Sequence, residues 1–116
     1  MTPVAPGVAL SGQASMTRAA TLVGAGDIAS CSSTADSKTA AIVAGIQGIV
    51  FTAGDNVYPD GSSGNYKSCY SPSWGAFKSR TMPVPGNHDY YLNPGAAGYF
   101  AYFGSAAGPT GLGYYA

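Results

Sequence analysis

Apolar residues gather along the chain in short runs that stop on glycine and a polar residue, a pattern that predicts strands alternating with helices. The clearest run is Gly48-Ile49-Val50-Phe51-Thr52-Ala53, which reads as a short buried strand and stops at Gly54-Asp55-Asn56-Val57-Tyr58. Residues 19–24 make a comparable run leading to Gly26-Asp27, and residues 82–84 lead into Pro85-Gly86-Asn87-His88-Asp89. Between the first two runs, Ala35, Ala40, Ile42, Val43 and Ile46 suit a helix over residues 34–46, with Thr34 as its cap and Asp36 and Lys38 near its start. Strand, helix and strand form a βαβ unit whose crossover is expected to be right-handed. The fold class expected is therefore α/β.

The remaining segments read more plainly. Residues 28–33 and the turn-rich stretch 59–64, with Asp60-Gly61, are expected to be loops. Residues 66–81 carry Trp74, Phe77, Lys78 and Arg80 and read as a short helical segment broken at Pro72. Tyr99, Phe100, Tyr102 and Phe103 fall at helical spacing within residues 96–103, as a core-facing or lid helix would place them. Residues 108–113 read as loop, and residues 114–116 look like the opening of a strand. A chain that stops inside an element is expected to be a fragment. Residues 1–18 are rich in Pro, Gly, Ala and Ser and show no period, which predicts a mobile leader and leaves residues 19–116 as the folded part.

Composition sharpens the picture because charge is so scarce. Of 116 residues, 46% are hydrophobic and only 9% are charged, against a norm of about 25%, so a core is expected and each charge is informative. There is no glutamate. The acids are Asp27, Asp36, Asp55, Asp60 and Asp89, and three of these five stand at the three strand ends, together with His88, the one histidine. A net charge of zero without a Lys/Arg cluster argues against a nucleic-acid partner, and no apolar run approaches the roughly 18 residues of a membrane span. No signal peptide is visible, since nothing basic precedes Arg18 and no continuous apolar core follows. Cys31 and Cys69 both lie in expected loops just after the first two strand ends. They read either as a disulfide, which would point to export, or as two unpaired small hydrophobes. No Cys-x-x-Cys spacing supports a thiolate zinc site.

Two kinds of site compete for these motifs. Gly24-Ala25-Gly26-Asp27-Ile28-Ala29 formally matches the dinucleotide-binding G-x-G-x-x-A pattern. Asp27, however, would place a negative charge where the pyrophosphate must sit, and no acid about 20 residues on is available for the ribose. The second reading is a metal site. Carboxylate, amide, phenol and imidazole groups from Asp27, Asp55, Tyr58, Asn87 and His88 suit hard or borderline cations, and one crossover separates each motif from the next, so the three ends can converge. A single aspartate after glycine is usually a turn residue. Three in register are harder to dismiss.

These residues resemble a known family. Gly26-Asp27, Gly54-Asp55-Asn56-Val57-Tyr58 and Gly86-Asn87-His88-Asp89 are similar to the first three motifs of the calcineurin-like metallophosphoesterases, and the Gly-Asp-x-x-Tyr form resembles the purple acid phosphatase branch. The likeness spans residues 22–89. It implies a partial metallophosphoesterase fold, the βαβ start of a helix-flanked β-sandwich. It also implies a dinuclear site in which Asp27 and Tyr58 bind one metal, Asp55 bridges both and Asn87 binds the second. Many members carry Asp-x-His in the first motif, where this chain has Ala29, and the Tyr58 phenolate would replace that ligand. The metals implied are Fe(III) with Zn(II), Mn(II) or Fe(II), or else two redox-inert ions. The activity implied is acid phosphatase-like hydrolysis of a small phosphate ester, monoesters favoured. His88 would stabilise the transition state or protonate the leaving group. Asp89 would either orient His88 or stabilise the loop, and Asn56 would sit behind the ligands.

The family pattern also requires later histidines, one alone and a pair in Gly-His-x-His, and none follows His88. The 116-residue chain by itself is therefore expected to be inactive and the full-length protein to be the enzyme. The rival expectation is a catalytically silent α/β module that binds a ligand or partner through its aromatic-rich tail.

Overall fold

The three apolar runs become the three strands of one parallel sheet in the computed structural model, which describes residues 20–116; the leader expected over residues 1–18 lies outside the described residues. The strands are β1 (Leu22–Ala25), β3 (Ile49–Thr52) and β5 (Thr81–Met82), ordered β1-β3-β5. Val23 faces Val50, and Phe51 faces Met82. Alternation sends Val50, Thr52 and Thr81 into the core and leaves Leu22, Ile49, Phe51 and Met82 exposed on the opposite face. β5 starts one residue earlier than expected and is shorter. Pro83 and Pro85 carry no N–H, so the pairing cannot run on through them.

At Gly26-Asp27 and again at Gly54-Asp55 the chain bends as it leaves β1 and β3, and the two segments then pair once more as β2 (Ala29–Ser30) with β4 (Val57–Tyr58), also in parallel. Residues 28–33, expected as loop, thus begin with a strand. Backbone bonds carry the pairing across the bend: Asp27 N–H donates to Gly54 O at 3.1 Å, Ile28 N–H to Asp55 O at 3.1 Å and Ala29 N–H to Asn56 O at 3.1 Å. Strands of two residues leave no period for a sequence to display.

Helix α1 (Ala35–Ala44) crosses between β2 and β3, burying Ala40 and Val43 but leaving Ile42 exposed, so its apolar stripe is narrower than the sequence suggested. Thr34 makes no side-chain cap. The hydroxyl of Ser33 accepts the Ala35 N–H at 3.1 Å instead. Two polar contacts dock α1 on the following layer: the Ser73 hydroxyl donates to the buried carboxylate of Asp36, and Trp74 Nε1–H donates to Thr39 Oγ1 at 3.0 Å.

That layer is aromatic. A short helix α2 (Ser63–Asn65) starts on Ser62, whose hydroxyl accepts the Asn65 N–H, and widens into a π-turned stretch, Tyr66–Tyr70. A 3-10 stretch, Trp74–Arg80, follows, with the expected break at Pro72 between them. Helix α3 (Ala97–Phe103) faces inward as expected, burying Tyr99, Phe100 and Phe103, with the Phe103 ring edge-on against Tyr66 and Tyr70 and Tyr99 packed on Phe100 and Phe103. Edge-to-face and stacked ring pairs fill this core, among them Tyr66 with Tyr102 at 5.0 Å between centroids. Residues 114–116 form no strand. Tyr115 is held by its side chain, the hydroxyl donating to Pro83 O at 2.7 Å.

Cys31, just after β2, and Cys69, in the π-turned stretch, form a disulfide. The bridge closes a loop with a sequence separation of 38, which on chain-entropy grounds is worth about 4 kcal/mol, an upper value where the unfolded chain retains structure. The double variant Cys31→Ser/Cys69→Ser is expected to lose roughly 2–4 kcal/mol in urea unfolding. An unchanged midpoint would show that the bridge carries no stability. Among the described residues no helix is long and apolar enough to cross a membrane.

Candidate metal centre

All three strands of the main sheet run parallel, so their carboxyl ends leave one edge and the three Gly-containing motifs meet there. The bends described above aim the first two. Asp27 and Asp55 both adopt left-handed backbone conformations, with φ of 51° and 49°. Aspartate tolerates this region better than most residues, and a pair of such conformations at equivalent strand ends points to a functional constraint. Both carboxylates reach the Tyr58 hydroxyl.

The third motif closes against the second through two glycines. A Cβ at Gly54 (φ +94°) would come 3.0 Å from Gly86 Cα, and a Cβ at Gly86 would run into the backbone N and carboxylate of Asp55. Only glycine at both positions allows this approach. Thr52 fastens the same junction, its hydroxyl accepting the Val84 N–H at 2.9 Å and lying 3.2 Å from Val84 O as donor.

Tyr58 sits at the centre of the resulting corner. Its hydroxyl lies 2.6 Å from Asp27 Oδ1 and 3.0 Å from Asp55 Oδ2, so one phenolic proton is shared between two carboxylates. The hydrogen bond to Asp27 raises the Tyr58 pKa most, followed by burial and by the bond to Asp55 and both carboxylate charges. Among the described residues no Lys or Arg bonds to either carboxylate. Three hard oxygen donors converging on a proton, with no cationic side chain attached, form a set that fits a metal cation in the proton's place. Among the described residues no three His, Cys or Asp side chains gather to hold a metal on their own; the third donor here is the phenol.

His88 belongs to the same corner. Its backbone N–H donates to Asp55 Oδ1 at 2.9 Å, and its ring packs edge-on against Tyr58 with 4.5 Å between centroids. Nδ1 lies 2.8 Å from the carbonyl oxygen of Pro59. A carbonyl can only accept, so Nδ1 carries the hydrogen and Nε2 is left as the atom that can take up or give a proton. Asn87 precedes it, exposed, with no side-chain hydrogen bond among the described residues.

Asp89 does not orient His88. The 3-10 turn Asn87–Tyr90 sends it inward, where Oδ2 accepts the N–H groups of Gly86 at 2.8 Å and Asn56 at 3.2 Å and the Asn56 amide at 3.2 Å, while Oδ1 accepts the Tyr66 hydroxyl at 2.5 Å. Of the two roles expected for Asp89, the structure shows loop stabilisation; Pro59 O is what fixes the imidazole. Burial pushes the Asp89 carboxyl pKa up, while the bonds from Gly86, Tyr66 and Asn56 hold it down. Burial also raises the Tyr66 hydroxyl, reinforced by the charge and hydrogen bond of Asp89. Asn56 is fully buried behind the corner, its amide also donating to Val84 O at 3.1 Å.

Sequence reasoning named Asp27, Asp55, Tyr58 and His88, which lie together at this corner, and Asn87, which precedes His88 in the chain, and it left the direction of Asp89 open. It missed Tyr66, Pro59 and Thr52, which hold the corner from behind. A buried tyrosine in a helical stretch and a turn proline carry no signal for such roles, whereas Thr52, one residue before the strand end, could have been read as a tie. No family model matches this chain, and no curated protein or solved structure matches it either.

Proposed function

We propose that this chain carries the catalytic corner of a metal-dependent phosphoric ester hydrolase, acid phosphatase-like and favouring monoesters. The observation that carries the reading is the Tyr58 hydroxyl bridging Asp27 and Asp55 at a shared strand edge, with the His88 ring against it. In this reading Asp27 and Tyr58 would hold one ion, Asn87 would serve a second, and Asp55 would contribute to both. The parallel sheet is then the beginning of the helix-flanked β-sandwich of the calcineurin-like metallophosphoesterases, purple acid phosphatase branch, with later histidines completing the ligand set. Two metal ions, one of them Fe(III) and the other Zn(II), Mn(II) or Fe(II), would supply Lewis-acid polarisation of the phosphoryl group and an acidified water.

The chain's own residues do the rest. Asp27 and Asp55 are fixed by backbone bends, so their oxygens are held in place before anything binds. His88, tethered at Nδ1, keeps Nε2 as the atom that, once it has taken up a proton, would pass it to the departing alkoxide of the ester. The disulfide fits an oxidising compartment, and we infer that the protein is exported. The rival reading, binding through the aromatic-rich tail, loses most of its surface, because Tyr99, Phe100 and Phe103 are buried.

Reconstituted with iron and zinc, the full-length protein is expected to hydrolyse nitrophenyl phosphate and to show a visible phenolate-to-iron absorption band. Tyr58→Phe should remove that band. Absence of both turnover and colour in the metal-loaded protein would end the hydrolase reading, and an unchanged colour in Tyr58→Phe would remove Tyr58 from the ligands.

A further inference from the structure

The rim beside His88 carries an aromatic surface that the proposed chemistry does not use. Tyr91 stacks on the His88 imidazole with ring centroids 5.1 Å apart and planes 22° from parallel, and the residue is nevertheless 73% exposed. One ring face is thus taken by the histidine and the other is open to water. Leu92 beside it is 63% exposed. Exposed apolar residues are common, but these two are not on a slack loop. Tyr91 N–H donates to His88 O at 3.2 Å and Leu92 N–H to Asp60 O at 3.4 Å, so the pair is tied to the histidine on one side and to the Pro59-Asp60 turn on the other. The Pro59 carbonyl in that turn fixes the His88 ring. Tyr58, His88 and Tyr91 consequently form a continuous run of rings leading outward from the two carboxylates.

We propose that Tyr91 is a specificity-determining residue that packs against a planar ring in the leaving group, so that the site prefers phosphate monoesters whose alcohol carries an aromatic or heteroaromatic ring. The proposal rests on the hydrolase reading given above. A phosphoryl group bound to the ions that the Asp27, Asp55 and Tyr58 oxygens would hold, with His88 serving its leaving oxygen, would set the leaving group against the His88 and Tyr91 rings. Ring-on-ring contact there, flanked by Leu92, favours a flat apolar group over a small hydroxylated one. Tyr91 is not among the proposed metal ligands, and its exposure makes a folding defect on substitution small.

The test compares wild-type, Tyr91→Ala and Tyr91→Phe full-length protein, metal-loaded, on three esters: phenyl phosphate, a nucleoside 5′-monophosphate and glycerol phosphate. For Tyr91→Ala, KM is expected to rise about three- to tenfold on at least one of the two ring-bearing esters, with kcat little changed, and to stay constant on glycerol phosphate. Tyr91→Phe, which keeps the ring, should restore the wild-type KM. Which of the two ring-bearing esters responds tells whether the ring sits directly on the ester oxygen or one sugar further out. An equal change on all three esters, a change in kcat alone, or no change overturns the role of Tyr91 while leaving the hydrolase intact. No turnover of any ester by the wild type removes the hydrolase reading and the role of Tyr91 with it.

Discussion

Asp55→Ala is expected to abolish ester hydrolysis by the full-length protein, by on the order of a thousandfold or more, and to leave it unable to retain its metals. Asp55 ties all three motifs together at the corner. Oδ2 accepts from Tyr58, Oδ1 accepts from the His88 backbone, and its own backbone carbonyl pairs with Ile28. The substitution removes a charge and also disconnects the second motif from the third. Alanine is less at home than aspartate at φ 49°, which adds about 1 kcal/mol of backbone cost. Asp55→Asn separates these effects, since asparagine tolerates the conformation and can still accept from His88 N–H. It should keep the wild-type unfolding midpoint and still lose metal, as measured by elemental analysis after desalting. Full metal content with wild-type turnover in either variant would remove Asp55 from the centre.

Asp89→Ala is expected to cost about 3–5 kcal/mol of folding stability, a large share of the roughly 5–15 kcal/mol that holds a domain together. The buried carboxylate accepts four hydrogen bonds, from Gly86 N–H, Asn56 N–H, the Asn56 amide and the Tyr66 hydroxyl. Truncation leaves the Asn56 N–H and the Tyr66 hydroxyl without their buried acceptor and removes a part-buried one from Gly86 N–H, while the Asn56 amide keeps its bond to Val84 O. Each unmet buried group carries a penalty of about 1–3 kcal/mol, partly relieved by relaxation. Urea unfolding monitored by Trp74 fluorescence reads the loss directly. A variant with the wild-type midpoint and impaired turnover would instead mean that Asp89 works through His88.

The sequence exposed the fold through its strand ends. Alternation around Val50 and the helical spacing of Ala40 and Val43 are features of single elements, and they survive in the structure. The convergence of Asp27, Asp55 and His88 was also legible, because parallel strands joined by crossovers must put their carboxyl ends on one edge. What stayed hidden depends on short-range geometry. The β2–β4 pair is two residues long on each side and has no period to show. Whether Asp89 points to the histidine or to the interior is decided by one 3-10 turn, and the motif Gly-Asn-His-Asp reads the same in both cases. The choice of Ser33 over Thr34 at the start of α1 is equally local. Tyr66 could be seen as core but not as a donor to Asp89, since that contact joins residues 23 positions apart with no shared pattern.

The outward side of the β1-β3-β5 sheet determines how this polypeptide behaves in bulk solvent. Leu22, Ile49, Phe51 and Met82 present hydrocarbon there, with Val84 just beyond β5 adding to it, and a formal charge of zero provides almost no long-range repulsion between molecules. Wherever that side is bare, concentrating the sample or adding a kosmotropic salt is accordingly expected to drive association through it.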